Sequence, residues 1–406
     1  MTKSLFGYAN TTKAIAKSGG WCIYDDKFDK ISSDEWGNTL LPSSEFKAQL
    51  SGLEIPSPGF APTHELIKKA KNLISEYDYF YLNGMPKSVW ISGTNGKTTT
   101  TKMTQFLLES KGVQMGGNVG IAVADLDKTA PLWILETSSF TMHYTKHAKP
   151  NIYALLPITP DHLSWHGNMS EYEKAKLKPL LNMCEQDLAI IPAIFKEHEF
   201  SKNSKAKIYF YNDENDLADI FGIESQKIHF KVPFLMDAIF ALVIEKIIFG
   251  LCNYELINTF VIENNKLEEL RDSKNRLWVN DTKATNIDAT LKAIERYAND
   301  EIFIILGGDD KGVDLSPVFG ALSELKIPAK IYAIGSNTDK IVEFSKKFKL
   351  EFQACYELKT AVQKIDKMLK TDGCVALLSP ACASLDQFSS YAQRGEIFKE
   401  EIAKLK

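Results

Sequence analysis

The residues with the plainest chemical potential are Ser92-Gly93-Thr94-Asn95-Gly96-Lys97-Thr98-Thr99. They follow the apolar run Val89-Trp90-Ile91 and precede a helix-like stretch from Thr100 to Lys111. A strand that turns through glycines into a helix presents unpaired backbone N–H groups and the positive end of a helix dipole, which together favour an anion. Gly93 and Gly96 would let the backbone approach a phosphate, Lys97 would reach the terminal phosphates of a nucleotide, and the Thr98 hydroxyl would face Mg²⁺. The whole loop, with Thr94, Asn95 and Thr99, is therefore a candidate nucleotide site. Ile91 stands where a Walker loop has its first glycine, so this is a short form. The plain alternative is a glycine-rich turn with a surface lysine.

Other polar residues fall where apolar runs end: Glu136, Asp281, Asp309 and Ser379. Magnesium takes an octahedron of oxygens and keeps several waters, so Glu136 could join Thr98 as a ligand. Taken alone, Glu136 reads as an ordinary loop carboxylate and His162 as a hydrogen-bonded structural histidine. Lys176 has donors only and cannot itself coordinate a metal; alone it reads as a solvated helix lysine. Six cysteines are scattered without Cys-x-x-Cys spacing, which argues against structural zinc and disulfides, and Cys382 reads as a small buried residue.

The elements that must position these groups alternate. Strands are expected at Trp21–Tyr24, Leu132–Leu135, Asn151–Leu156, Leu188–Ile191, Leu277–Asn280, Ile302–Leu306, Lys330–Ile334 and Cys374–Leu378. Helical patterns lie between them, among them Asn286 to Tyr297. Ser170 with Glu173 reads as a capping box opening a helix toward Cys184, with Tyr172, Leu177, Leu180 and Leu181 on its apolar positions. Ser384 with Gln387 reads as a second box opening the last helix. The pattern predicts an α/β fold of three domains: a short one at 1–84, a P-loop ATPase-like one with a parallel sheet at 85–262, and a doubly wound one at 263–406; a family resemblance, carried by the motifs below, implies that the first and third are Rossmann-like. Ligands of such sheets gather at the carboxyl ends of the strands.

The chain has 406 residues, 44% hydrophobic and 25% charged, with a net charge of −4 and no long basic run, so nucleic acid or an anionic membrane is not its expected partner. Met1 to Gly20 lacks the apolar centre of a signal peptide, and Ile239 to Leu251 is too short to span a bilayer. A cytoplasmic monomer is expected.

Gly93-Thr94-Asn95-Gly96-Lys97-Thr98-Thr99 resembles the loop of the Mur ligases, which build the peptide stem of bacterial cell-wall precursors and have folylpolyglutamate synthetases as relatives. Leu135-Glu136-Thr137-Ser138-Ser139-Phe140 resembles the family's Leu-Glu-x-Ser-Ser-Phe element, which implies that Glu136 is a magnesium ligand and that Ser138 lies at the substrate. Asp161-His162-Leu163 is similar to its Asp-His-Leu element, implying a second metal site at His162, with Ser164 where the family often has aspartate. The matching lysine of the family carries a carbamate formed with CO₂, so Lys176 is implied as a further metal ligand. Gly116-Gly117-Asn118-Val119-Gly120 resembles the loop that touches the sugar-peptide substrate, which implicates Asn118.

Further along, Asn280-Asp281-Thr282-Lys283-Ala284-Thr285-Asn286 and Leu306-Gly307-Gly308-Asp309-Asp310-Lys311-Gly312 resemble nucleotide-proximal elements of the family's C-terminal domain. They implicate Asp281, Lys283, Asn286, Asp309 and Lys311. Asp310 replaces a frequent glycine and adds a charge near the phosphates; Lys266 stands where the family usually has arginine, and loses its planar fork. Ser379-Pro380-Ala381-Cys382-Ala383-Ser384-Leu385-Asp386-Gln387-Phe388 with Gln393-Arg394-Gly395 resembles the signature of the D-glutamate-adding members, implying Ser384 and Leu385 at the amino acid. The first domain matches loosely, through Phe6-Gly7-Tyr8-Ala9-Asn10-Thr11-Thr12, Asp25-Asp26 and Ser57-Pro58-Gly59.

The resemblance implies an ATP-dependent ligase with two Mg²⁺ ions, joining D-glutamate to UDP-N-acetylmuramoyl-L-alanine through an acyl phosphate in peptidoglycan synthesis, with Lys97, His162 and Lys176 in catalytic roles. A relative using another amino acid or a folate, and a non-catalytic nucleotide switch, are the competing readings. The absent Asp-Asn-Pro-Arg element of diaminopimelate-adding relatives argues against the first.

Overall fold

Continuous apolar runs bounded by glycine, proline and aspartate give the chain its strands, because a strand buried on both faces has no solvent side to carry polar residues. The computed structural model describes residues 1–405. Strands β1 (Thr2–Phe6), β2 (Trp21–Asp25), β3 (Ser32–Ser33), β4 (Thr39–Pro42) and β5 (Ser51–Pro56) form a sheet in the order β3-β4-β2-β1-β5, parallel except for the β3–β4 pair. The second sheet comprises β6 (Ser88–Ser92), β7 (Gln114–Gly117), β8 (Trp133–Glu136), β9 (Ile152–Leu155), β10 (Leu188–Pro192) and β11 (Lys207–Tyr211). It is parallel throughout, in the order β11-β10-β9-β6-β8-β7. The third comprises β12 (Glu268–Arg271), β13 (Leu277–Asn280), β14 (Glu301–Gly307), β15 (Lys330–Ile334), β16 (Glu351–Tyr356) and β17 (Cys374–Leu378). Its order is β12-β13-β17-β14-β15-β16, with only β12 antiparallel.

The first two sheets lie in one compact unit, residues 1–230 and 234–260; the third occupies 231–233 and 261–406. One apolar cluster links the first two sheets, with Leu5, Trp21 and Ile55 in the same buried group as Trp90, Trp133 and Leu155. The third sheet has its own core around Trp278, Ile305, Ala376 and Phe398. Asp78 fastens the first unit internally: its carboxylate accepts from the backbone N–H groups of Ser75, Lys146, His147 and Ala148 at 2.7–3.1 Å.

Two caps differ from the sequence expectation. The helix Met169–Leu177 is capped by Asn168, whose side chain accepts from Glu171 N–H, not by Ser170. A separate turn, Pro179–Asn182, follows it, and Leu181 is exposed while Tyr172, Leu177 and Leu180 are buried. The last helix is Tyr391–Ala403, capped by Ser390, so no helix opens at Ser384. The cause is upstream: Ala383 exchanges two backbone hydrogen bonds with Asp309, and this bridge holds the chain out of helical geometry. The six cysteines are free, and Cys382 is buried.

Candidate active site

The strand order of the second sheet sets β9, β6, β8 and β7 side by side, so the loops leaving their carboxyl ends converge. β6 ends at Ser92, and the phosphate-type loop leads into the helix Lys97–Leu108. Gly93 has φ +145° and Gly96 φ +82°; a Cβ on either would lie within 2.6 Å of Leu156 or Asp237 respectively. Only glycine fits at both places, and this keeps the loop backbone bare. Lys97 Nζ folds over the loop, donating to Gly93 O (3.0 Å) and Thr94 O (2.6 Å). Thr94 Oγ donates to Thr159 O (2.9 Å) and lies 3.0 Å from the Tyr172 hydroxyl, tying this loop to the one after β9. Asn95, Thr98 and Thr99 complete it at the helix start.

Glu136 ends β8 opposite Ile91 of β6. It is buried; Oε1 accepts from Asn118 Nδ2 (2.7 Å), while Oε2 is enclosed with no hydrogen-bond partner. A buried carboxylate oxygen left unpaired is costly, and a cation would satisfy it. Among the described residues no group of three or more His, Cys, Asp or Glu could hold a metal. That donor set suits Mg²⁺ bound mostly through water and phosphate oxygens with a single carboxylate. Asn118, expected at the substrate, holds this carboxylate in place. Ser138 caps the helix Ser139–Tyr144 by accepting from Thr141 N–H.

Lys176 is not the solvated residue its charge suggests. It is 1% exposed, on the inner face of its helix, and Nζ donates to Gly93 O (2.7 Å) and Ser92 Oγ (3.3 Å). Burial, reinforced by the nearby Lys97 ammonium, drives its pKa well below the lysine range. Its surroundings thereby favour the amine over the ammonium form beside the phosphate loop. His162 follows β9 with φ +54°, its ring half exposed against Phe140 (4.8 Å between centroids) and 3.4 Å from Asp161. Nearby His166 bonds Ser139 Oγ (2.9 Å), and its Nδ1 is buried without a partner. Burial, with the flanking His143 and His162 rings, pushes it down to about 4.

The third sheet builds a second cluster. β13, β17 and β14 are adjacent, and Asp281, Ser379 and Asp309 follow their ends. Asp281 is buried, accepting from Ser379 Oγ (2.7 Å) and Leu267 N–H (3.2 Å); burial raises its carboxyl to about 7. Ser384 is buried and Leu385 is 70% exposed. Lys283 lies 3.8 Å from Glu263, and Asn286 caps the helix Ile287–Arg296. Lys311, at φ +51°, donates its N–H to Asp309 Oδ1 (2.9 Å). Asp310 adds no open charge: Lys340 Nζ (2.7 Å), Gly312 N–H (2.8 Å) and Asn337 Nδ2 (3.4 Å) all point at its carboxylate. Desolvation opposes its ionisation, yet these donors hold its pKa below the usual value. Fully buried Arg394 ties the two signature segments, bonding Thr282 Oγ (2.8 Å), Thr282 O (2.9 Å) and Cys382 O (3.2 Å). Lys340, Arg394 and Asp237 carry no local motif: Lys340 reaches Asp310 across 30 residues, Arg394 reaches Thr282 across 112, and Asp237 accepts from the Thr100 hydroxyl across 137.

A glycine–lysine loop on a parallel sheet, a neighbouring carboxylate with an open oxygen, and a further α/β sheet with polar strand ends define a nucleotide-dependent α/β enzyme class, and the chain belongs to the Mur ligase family. The family's middle domain matches residues 91–265. Along its whole length the chain is 56% identical to the UDP-N-acetylmuramoylalanine–D-glutamate ligase of Campylobacter jejuni, with all of both chains covered. It is 44% identical to the enzyme of that name from Helicobacter pylori, again over all of both chains. The MurF ligase of Thermotoga maritima, in complex with ADP, shares the fold with a TM-score of 0.59 over 87% of this chain and 88% of that one, at 15% identity.

Proposed function

We propose that this protein is an ATP-dependent ligase that joins D-glutamate to UDP-N-acetylmuramoyl-L-alanine, with residues 1–84 holding the uridine nucleotide, 85–262 ATP, and 263–406 the amino acid and part of the nucleotide. The observation that carries the reading is Glu136: a buried carboxylate beside the glycine–lysine loop whose Oε2 has no partner. The full-length likeness to ligases of that name supports the substrates.

A carboxylate is a poor acyl donor at neutral pH. Its oxygen attacks the γ-phosphorus of ATP, ADP leaves, and the acyl phosphate forms. The amine of D-glutamate then attacks the acyl carbon, losing a proton, and phosphate is expelled. Lys97 swings from the loop carbonyls to the transferring phosphoryl group and offsets its charge. Glu136 and Thr98 would hold one Mg²⁺, and His162 with carbamylated Lys176 would hold a second. Bound magnesium supplies charge neutralisation and alignment of the phosphates. Lys176 fits the carbamate role because burial favours its amine form, whose nitrogen lone pair would add to CO₂ with release of a proton. Asp281, Lys283, Asn286, Asp309 and Lys311 line the nucleotide, and Ser384 and Leu385 the glutamate. Asn118 and Ser138 meet the sugar-peptide substrate, and Asn118 also fixes Glu136. The described residues include no helix long and apolar enough to cross a membrane, which suits soluble small-molecule substrates.

The test is phosphate release from ATP with UDP-N-acetylmuramoyl-L-alanine and a panel of amino acids. Release that depends on D-glutamate supports the reading; release with another amino acid or a folate, and none with D-glutamate, overturns it.

A further inference from the structure

The first domain is short, yet one of its loops is fastened from outside. Ser57-Pro58-Gly59-Phe60 leaves the carboxyl end of β5, the edge of the sheet where nucleotides collect. On one side it closes over the β1 turn. Ser57 N–H donates to Phe6 O (2.7 Å), and the Phe60 ring lies 2.5 Å from where a Cβ on Gly7 would be. On the other side it is bound by the second sheet's helices. Tyr144 Oη donates to Phe60 O (2.5 Å) and Trp165 Nε1 to Gly59 O (3.3 Å). These two donors belong to one aromatic group. Trp165 packs on Tyr144 (5.9 Å) and on Phe140 (4.6 Å), and Phe140 meets the His162 ring at 4.8 Å. The path from the loop of the first sheet to His162 is thus four rings and two hydrogen bonds, all within the first compact unit.

We propose that Tyr144 and Trp165 are positioning residues for the uridine-nucleotide substrate, holding the Ser57–Phe60 loop and Gly7 in register with the site after β8 and β9. The inference rests on the ligase reading above. Neither residue touches the reacting atoms; each acts through a backbone carbonyl of the loop. The substrate is long, anchored at its nucleotide end by the first sheet and reacting at its carboxylate end on the second. A loop free to drift would have to be ordered each time the nucleotide end binds, and that cost would fall on the affinity for this substrate alone.

Tyr144→Phe and Trp165→Phe remove one donor each; the first keeps its ring whole, and the second keeps an aromatic ring while losing the indole's five-membered one. Each single substitution is expected to raise the KM for UDP-N-acetylmuramoyl-L-alanine about threefold and the double substitution about tenfold, the range for lost neutral hydrogen bonds. The KM values for ATP and D-glutamate, and kcat at saturation, should not move. Calorimetric titration with UDP-N-acetylmuramoyl-L-alanine alone should show the same weakening. Variants with lowered Tm but wild-type KM and wild-type affinity for that substrate would overturn the inference, leaving the contacts a packing role. A wild-type protein that neither binds the uridine substrate nor releases phosphate would instead overturn the ligase reading.

Discussion

Asp281 gives the sharpest quantitative test, because its environment sets a cost that one atom can remove. Burial raises its carboxyl from 3.8 to about 7. At ~1.4 kcal/mol per pH unit, charging it inside the folded protein costs about 4 kcal/mol. The sign follows from proton uptake. Between 3.8 and about 7 the unfolded chain has lost this proton and the folded chain keeps it, so stability falls as pH rises through that window and levels off above it. Asp281→Asn keeps an oxygen to accept from Ser379 Oγ and cannot ionise. Relative to the variant, the native protein should lose about 3 kcal/mol between pH 5 and pH 9. Urea unfolding read by pulsed hydrogen exchange on peptides from residues 261–405 measures this for the relevant unit. Parallel pH profiles for the two proteins would mean that burial does not hold the Asp281 carboxyl protonated in the folded state.

Three further outcomes follow from the geometry. Lys97→Ala should leave the circular dichroism spectrum unchanged and lower ATP-dependent phosphate release by on the order of 10³, as for other removed charge-stabilising groups. Asp78→Asn replaces a four-fold acceptor with a group that carries its own donor, leaving N–H groups of the 146–148 turn unpaired, that of buried Ala148 among them; a loss of about 3 kcal/mol is expected, seen as a Tm about 6–12 °C lower. A double-mutant cycle on Asp310→Asn and Lys340→Ala should give a coupling of only about 0.5–1 kcal/mol, because Lys340 is 39% exposed and solvent screens the pair.

The strands were legible because burial on two faces writes itself as unbroken apolar runs; Lys330–Ile334 and Cys374–Leu378 agree with the expectation to the residue. The phosphate loop was legible because its glycines answer a local backbone demand. Caps were less so. Ser170-x-x-Glu173 has the right types, but Asn168 two residues earlier makes the bond to the helix N–H. Ser384-x-x-Gln387 also has the right types, but a backbone bridge to Asp309, some 75 positions away, forbids a helix there. Lys176 reads as polar surface until the fold carries it under the phosphate loop. Asp78, Tyr144 and Arg394 each also reach a partner 68 to 112 residues distant, and those long-range contacts leave no period or spacing in a sequence.

The central claim is that a carboxylate is activated by phosphoryl transfer before an amine captures it. Supplying UDP-N-acetylmuramoyl-L-alanine with ¹⁸O in its alanine carboxylate, together with ATP, magnesium and D-glutamate, tests this directly by mass spectrometry of the released phosphate. One ¹⁸O is expected in each phosphate formed per amide bond. Unlabelled phosphate accompanying amide product would contradict it.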